Sequence, residues 1–489
     1  MNSEVVKVQY KKKWTMKRVG RYVAGGLVGI FLLSSLFGYF KPLPEGISYE
    51  GEVHQGDVDL LIDLTYSSED GTNKDQVIFD HIHDMINGSE EFILVDMFLF
   101  NDDYDRGEDY PPLAQDLVDA LVEKKKEYPS IEIVVMTDPI NSFYGSYQPE
   151  PFNQLEEYGI HLLVTDLTAL RDSNPAYSGF WRAIPQWFGN SENGWLPNPF
   201  SPDAPEGTIR SYLKLLNFKA NHRKVVINEK EGFVTSANPH DASGYHSNIG
   251  FVLRGNILED LVESERAVAE MSGASEEWFD SFVVESTVEE DVDLNKVQII
   301  TEGKIKEHLI EEIGAANEDD TIYLGAFYLS DRKIIKELLK AADREVDVRL
   351  ILDANKDAFG REKNGVPNRP VAYELMEKSD GKVQVRWYNT SGEQYHTKLM
   401  MIDKPEEAVL IGGSANFTKR NLGDLNLETN VKVVGDPQDE TIVNARDYFT
   451  MLWTNDGAKY TLDYEEYKDD SRFNRWLYRF QEWSGLSTF

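Results

Sequence analysis

Two stretches of this chain, far apart, carry the same reactive residue types at the same spacing. Tyr395-His396-Thr397-Lys398-Leu399-Met400-Met401-Ile402-Asp403 is followed after a short loop by Ile411-Gly412-Gly413-Ser414-Ala415-Asn416-Phe417. Upstream, Asn221-His222-Arg223-Lys224-Val225-Val226-Ile227-Asn228-Glu229 precedes Gly232-Phe233-Val234-Thr235-Ser236-Ala237-Asn238. In each, a His and a Lys two residues apart project from one face of an apolar strand, because side chains alternate along strands. One such pair is weak evidence of chemistry; two copies, each leading to Ser-Ala-Asn, are far stronger. The residue types suit phosphodiester cleavage. A phosphodiester is negatively charged and has a poor alkoxide leaving group, so it needs a nucleophile, an acid for the leaving oxygen and donors for the non-bridging oxygens. Two histidines, ordinarily titrating near neutrality, can supply the first two. Lys224 and Lys398, with Asn238, Asn416, Ser236 and Ser414, can hold the phosphoryl oxygens, and this chemistry requires no metal or other cofactor.

The doubled pattern resembles the phospholipase D superfamily, whose motif is H-x-K-x4-D with a following G-[GS]-x-N. The second copy matches throughout, with Asp403 in the acidic position. The first has Glu229 there, expected on an exposed turn before Gly232, and lacks the Gly-Gly pair. The resemblance implies that His222 is the nucleophile, forming a phosphohistidine, and that His396 is the general acid that later activates the acceptor. The residues themselves do not rank the two. Catalytic roles for Lys224, Lys398 and Asp403 come with the same resemblance. A catalytic imidazole needs a carboxylate on its other nitrogen to fix tautomer and orientation. Glu428, in Leu425-Asn426-Leu427-Glu428-Thr429-Asn430, matches the acidic residue the superfamily carries beyond its second motif. The corresponding stretch upstream, His246-Ser247-Asn248-Ile249-Gly250, has Asn248 instead, so the two histidines are expected to be unequal. His54, His81, His83, His161, His240, His246 and His308 form no metal-ligand pattern and are expected at the surface or in the core.

The two motifs can meet only if the chain folds its two copies together, and a repeat of elements predicts that it does. In a first lobe (75–290), helix Gln76–Ile86, strand Phe92–Phe100, helix Leu113–Lys125 and strand Ile131–Thr137 are expected. In a second (291–455), Lys304–Ala315, Thr321–Leu329, Lys333–Ala342 and Val346–Leu352 follow the same order. Each second strand ends in an Asp, Asp138 or Asp353, and a further strand, Ile160–Thr165 or Val383–Tyr388, precedes the motif. Near-continuous apolar strands alternating with helices predict sheets covered on both faces. The expected fold class is α/β, two similar phospholipase D-like lobes forming one bilobal catalytic unit, so a monomer suffices.

The first lobe is longer between its Asp and its motif, mostly in an insertion at 168–212 that contains Tyr177, Phe180, Trp181, Trp187, Phe188, Trp195 and Phe200. Such aromatics suit either a bilayer interface or a small local core beside the site. A closing helix is expected at Ala445–Trp453. The C-terminal extension 456–489 carries an amphipathic end, Arg472–Trp483, expected to dock on the core, with membrane contact as the alternative.

Residues 1–21 form a basic tail, and Tyr22–Phe40 carries no charge over a length that spans a bilayer as a helix. The basic flank predicts a cytoplasmic amino terminus and an extracytoplasmic catalytic region beyond a connector at 41–74. The balance of 50 Lys and Arg against 85 Asp and Glu, net −35, opposes non-specific attraction to nucleic acid. With no cysteine, thiolate catalysis and disulfides are excluded. The expected function is a membrane-tethered phosphodiesterase or phosphatidyltransferase acting on phospholipids, most similar to bacterial phospholipases and cardiolipin synthases. The alternatives are a nuclease of the same superfamily, or a non-catalytic membrane protein that keeps the fold.

Overall fold

The computed structural model describes residues 3–69, 71–104, 109–284, 294–358, 361–487 and 489. The expected lobe boundary at 290/291 lies outside the described residues, as do Met1 and Asn2 of the tail. A single helix, α1 (Ser3–Phe40), opens the chain. Its segment Val19–Phe40 has mean hydropathy 1.9 and is only 6% buried, so by length and composition it can cross a bilayer.

The first lobe runs β1 (His54–Gly56), β2 (Val58–Ser68), β3 (Gly71–Asp75), α2 (Ile78–Gly88), β4 (Phe92–Met97), α3 (Leu113–Glu127), β5 (Glu132–Thr137), α4 (Glu150–Glu157), β6 (His161–Val164), α5 (Pro175–Ala183), α6 (Ile209–Leu215), β7 (Lys224–Asn228), β8 (Gly232–Thr235), β9 (Asn248–Leu253) and α7 (Ile257–Met271). The second runs β10 (Asn295–Thr301), α8 (Glu302–Ala315), β11 (Thr321–Ala326), α9 (Arg332–Asp343), β12 (Asp347–Leu352), the short β13 (Asp357–Ala358) and β14 (Arg361–Glu362), α10 (Asn368–Lys378), β15 (Val383–Tyr388), β16 (Lys398–Asp403), β17 (Ala408–Gly413), β18 (Thr429–Gly435), α11 (Glu440–Thr454), β19 (Thr461–Asp463) and α12 (Arg472–Ser484).

The sheets repeat one topology. The first is ordered β3-β2-β9-β8-β7-β4-β5-β6 and the second β1-β10-β18-β17-β16-β11-β12-β15-β19. In each, three parallel strands (β4, β5 and β6; β11, β12 and β15) adjoin an antiparallel meander that begins at the H-x-K strand. Alternation along the strands builds the layers. Val225, Ile227, Leu399 and Met401 enter one apolar cluster shared by both lobes, whereas Val226 and the pair Met400 and Ile402 point outward into separate clusters under each lobe's helices. The two sheets therefore pack face to face, each with helices on its outer side.

The stretch 41–74, expected as a polar connector, holds strands instead. β1 pairs with β10 in the second sheet and β2 pairs with β9 in the first, so this segment stitches the lobes together. Polar residues hid it: Val58, Leu60 and Leu64 are buried, but exposed Asp59 and buried Asp63 and Thr65 break the apolar run. The C-terminal extension adds β19 to the edge of the second sheet, and α12 buries Tyr478 in the second lobe's outer cluster.

Candidate active site

Both histidines sit two residues before the strands that were expected to carry them. The strands begin at Lys224 and Lys398, and the preceding residues pair with the opposite lobe instead. His222 N–H donates to Leu427 O (3.0 Å) and His396 N–H to Ser247 O (2.9 Å). Exchanged backbone bonds of this kind fix each histidine relative to the other lobe.

The side chains are exchanged as well. Nδ1 of His222 meets the Glu428 carboxylate at 2.8 and 3.0 Å. Nδ1 of His396 meets Asn248 Oδ1 at 3.1 Å, and Asn248 Nδ2 donates to His246 O, which fixes the amide's orientation. An oxygen acceptor at Nδ1 makes that nitrogen the N–H donor, leaving the Nε2 lone pair of each ring for the space in front of it. His222 and His396 both line a cavity of about 590 Å³, together with Asn238, Asn416, Phe98, Phe327, Asp138, Lys363 and Arg420.

The two halves of the site match position by position. Lys224 Nζ donates to His222 O (2.7 Å) and lies over Phe98, while Lys398 Nζ donates to His396 O (2.6 Å) and lies over Phe327, each 5.1 Å from the ring centroid. Phe98 and Phe327 follow directly on β4 and β11 and flank the imidazoles, with centroids 4.7 and 5.0 Å away. Asp138 Oδ2 accepts from Asn221 N–H (2.7 Å) and Asp353 Oδ2 from Tyr395 N–H (2.8 Å), so the Asp that ends each second strand holds the residue just before a histidine. The cavity lies beyond the carboxyl ends of the parallel strands, where open α/β sheets bind their ligands.

Burial governs the charges. It pushes His222 down to about 4 against the opposing pull of Glu428, and Lys224 down to about 7. His396 is pushed well below its ordinary value by burial and by Lys398, as is Lys398 by burial and by Lys224. Arg420, half-buried, donates to carbonyl oxygens of Gly485 and Ser487 and packs on the Phe218 ring, and desolvation lowers it to about 10. The basic groups around the cavity raise one another's energy when charged, and an anion placed among them relieves all of them together.

Of the residues expected here, His222, His396, Asn238 and Asn416 line the cavity, and Lys224, Lys398 and Glu428 lie directly behind it. Ser236 and Ser414 serve the orienting groups rather than the cavity: Ser236 Oγ donates to Asn248 Oδ1 (3.0 Å) and Ser414 Oγ to Glu428. Asp403 is a correction. It lies at the far end of β16, five residues or roughly 17 Å from Lys398 along the strand, where it takes both arms of Arg446 at 2.7 and 2.8 Å. Glu229 is a second correction: the turn is not exposed there, and the buried carboxylate accepts from Glu90 N–H (2.9 Å) and Glu91 N–H (3.4 Å).

Two histidines assigned to surface or core stand beside the site. His240 lines the cavity and pairs with Ser243 Oγ at 2.9 Å, and the His246 ring is 5.9 Å from that of His396. Phe98, Phe327 and Arg420 went unforeseen. A comparison of the two strand ends, Phe98-Leu99-Phe100 and Phe327-Tyr328-Leu329, carries the signal for the first two. Arg223, between His222 and Lys224, faces the other way and is fully buried. It pairs with Glu265 (3.1 Å) and with Glu302 (2.8 Å), and Glu302 in turn accepts from Glu428 N–H (2.9 Å).

The Gly-Gly pair of the second motif also has a physical reason. Gly413 has φ +151°, and a Cβ there would lie 2.5 Å from Thr429 O. In the first lobe Thr235 stands in its place, with its hydroxyl bonded to Ile249 O (2.7 Å), a different local solution that needs no glycine.

Residues 309–453 match the family model described as "Cardiolipin synthase, PLD-like domain". No curated protein matches the chain. Among solved structures, the fold is similar to phosphatidylserine synthase from Haemophilus influenzae Rd KW20, 11% identical, over 91% of this chain and 96% of that one, with TM-score 0.54. Polyphosphate kinase from Porphyromonas gingivalis is 11% identical over 87% of this chain and 52% of that one, with TM-score 0.44. Nuc, a phospholipase D family member from Salmonella typhimurium, is 20% identical over 33% of this chain and 95% of that one, with TM-score 0.26. The first of these shows the fold.

Proposed function

We propose, for a chain that belongs to the phospholipase D superfamily by its matched second lobe and paired motifs, that it is a membrane-anchored phospholipase D-type phosphodiesterase or phosphatidyltransferase acting on phospholipids. One observation carries this reading above the others. Two imidazoles from two lobes line one cavity, each with its Nδ1 held by an oxygen of the opposite lobe.

In this mechanism Nε2 of His222 attacks phosphorus. Glu428 holds the proton on Nδ1 and stabilises the positive charge the ring acquires as the N–P bond forms and the P–O bond to the leaving group breaks. The negative charge of the bound phosphodiester offsets the burial that otherwise holds His396 neutral, so the ring takes up a solvent proton at Nε2 as substrate binds and gives that proton to the departing oxygen. In the second half water or an alcohol attacks phosphorus, its proton passes to His396, and the N–P bond breaks. Lys224, Lys398, Asn238 and Asn416 stabilise the charge on the non-bridging oxygens. Transfer to a lipid hydroxyl in place of water makes the enzyme a cardiolipin synthase-type transferase. The apolar segment Val19–Phe40 supports a lipid substrate, because a tether raises the effective concentration at the bilayer.

The test is lipid analysis of membranes from cells expressing wild type, His222→Ala or His396→Ala. Free phosphatidic acid identifies hydrolysis, and a new phosphatidyl ester identifies transfer. Unchanged lipids in all three, with cleavage of DNA by the wild type alone, would replace this reading with a nuclease.

A further inference from the structure

The last turns of α1 are joined to the aromatic insertion. Asp172 N–H donates to Gly38 O (3.0 Å), and Arg182 pairs with Asp172 (2.6 Å) while donating to Ser34 O (2.6 Å). Gly179 lies so close to Ser35 that a Cβ would fall 2.1 Å from its Oγ. Helix α5 therefore runs back along α1, from the level of Gly38 to that of Ser34. At 1.5 Å of rise per residue its end lies roughly 9 Å short of Phe40 along the α1 axis. Just beyond that end Ile184, Trp187 and Phe188 are exposed, Trp187 to 72%.

A second aromatic face adjoins the first. Along α12, Phe473, Trp476, Phe480 and Trp483 recur at helical spacing as one exposed stripe, Trp483 to 76%, whereas Tyr478 and Glu482 on the other side are buried. Gly485, which ends α12, abuts the carbonyl of Ser173, so the stripe begins beside the start of α5, near the level of Gly38. The same two segments supply the cavity with Pro199 and Phe200 from the insertion and Phe489 from the C terminus.

We infer that the aromatic insertion and α12 form a docking surface for the lipid headgroup region of the membrane that α1 spans, seating the cavity mouth on the leaflet. The occupant is set by α1. Its apolar length fixes where a bilayer would lie, and Trp187 and Phe188 then fall at interfacial depth, where aromatic rings are favoured and amphipathic segments sit roughly 5–10 Å deep. This rests on the lipid-directed, membrane-anchored reading above, and adds how the substrate reaches the histidines: from the leaflet directly, without crossing water.

The experiment uses the full chain in vesicles containing brominated phosphatidylcholine. Tryptophan fluorescence should be quenched in the wild type, and most of that quenching should vanish in Trp187→Phe/Trp195→Phe/Trp476→Phe/Trp483→Phe. Independently, Trp187→Ser/Phe188→Ser/Trp476→Ser/Trp483→Ser should remain membrane-bound through α1, yet cleave long-chain phospholipid about tenfold more slowly. Its rate on a water-soluble short-chain phosphodiester should hold. Quenching that survives the Phe variants, or a four-residue variant with full activity on bilayers, overturns the docking surface. So does a detergent-solubilised dimer dispersed by the four changes, which would assign the face to a second copy. The quenching arm needs no turnover, so it separates failure of this surface from failure of the proposed chemistry.

Discussion

Glu428 reaches across the lobe boundary to His222 at 2.8 Å, whereas the matching position opposite His396 is Asn248, a neutral amide at 3.1 Å. One imidazole is thus paired with a buried charge and the other with a dipole. A phosphorylated imidazole carries positive charge that a carboxylate stabilises, and a proton donor gains acidity from lacking one. The asymmetry supports His222 as nucleophile and His396 as acid. Glu428→Gln should lower kcat by about 10²-fold or more with little change in KM, by analogy with the loss of an orienting carboxylate elsewhere. Asn248→Asp should raise the pKa of His396 and move the limb of the pH–rate profile that reports the acid to higher pH. Steady-state kinetics of both variants checks this, and equal kcat for wild type and Glu428→Gln would remove the carboxylate from the mechanism.

Asp403 and Glu229 occupy matching positions at the ends of β16 and β7, and neither reaches the cavity. The ion pair of Asp403 with Arg446 is partly exposed, so its contribution should be about 1 kcal/mol or less. Asp403→Asn should leave kcat within about twofold, because it touches no group of the site. Glu229→Gln removes one acceptor from two partly buried backbone N–H groups, and should cost about 1 kcal/mol in urea unfolding with the same indifference in kcat. A large loss of turnover in Asp403→Asn at unchanged stability would return that residue to catalysis.

The pH response follows from burial. His222, lowered to about 4, is neutral and nucleophilic throughout the physiological range. Its contribution to stability is complete above the unfolded value of about 6.5 and is lost as pH falls through about 4. Asp138 and Asp353, raised by burial to about 7 and about 6, act in the opposite sense: their contribution is complete below about 4 and is lost as pH rises through those values. Lys224, lowered by burial to about 7, should be largely neutral at pH 8 and should recover its proton when a phosphate monoanion or dianion arrives. Binding of inorganic phosphate at pH 8, measured by calorimetry in buffers of different ionisation heat, should therefore take up protons, Lys224 accounting for close to one of them. Lys224→Gln should reduce that uptake. Proton release on binding would reverse the assignment of charge to this cavity.

How much of this was written in the chain divides by range. The paired H-x-K stretches, the repeated order of strands and helices and the apolar span are local patterns, and Val383–Tyr388 and the start of α12 at Arg472 fell where periodicity indicated. What spacing could not carry is the contact between lobes. Arg223 reads as the variable residue of a motif until the fold brings Glu265 and Glu302 to it from two other helices. His246 reads as a bystander until β9 and the segment before β16 meet through Ser247 and Tyr395. Asp403 failed for a different reason: a motif position was given a chemical role, but β16 runs away from the cavity, and distance along a strand outweighs proximity in sequence.

Topology gives the last prediction, and localisation rests on it. Lys7, Lys11, Lys12, Lys13, Lys17, Arg18 and Arg21 precede the apolar segment with only Glu4 against them, and the residues after Lys41 run to Glu45, Glu50, Glu52, Asp57 and Asp59. Basic flanks stay on the cytoplasmic side, so the catalytic lobes should lie outside. A chain without cysteine has no thiol to oxidise there. No nucleotide is available on that side to drive synthesis, and transfer through a phosphohistidine needs none, since the energy of one phosphodiester passes to the next. Protease added to intact protoplasts should digest the lobes, detected with an antibody to the C-terminal helix, while an epitope tag placed at the amino terminus survives. Protection of the lobes until the membrane is broken would reverse the orientation and make this an enzyme of the cytoplasmic face.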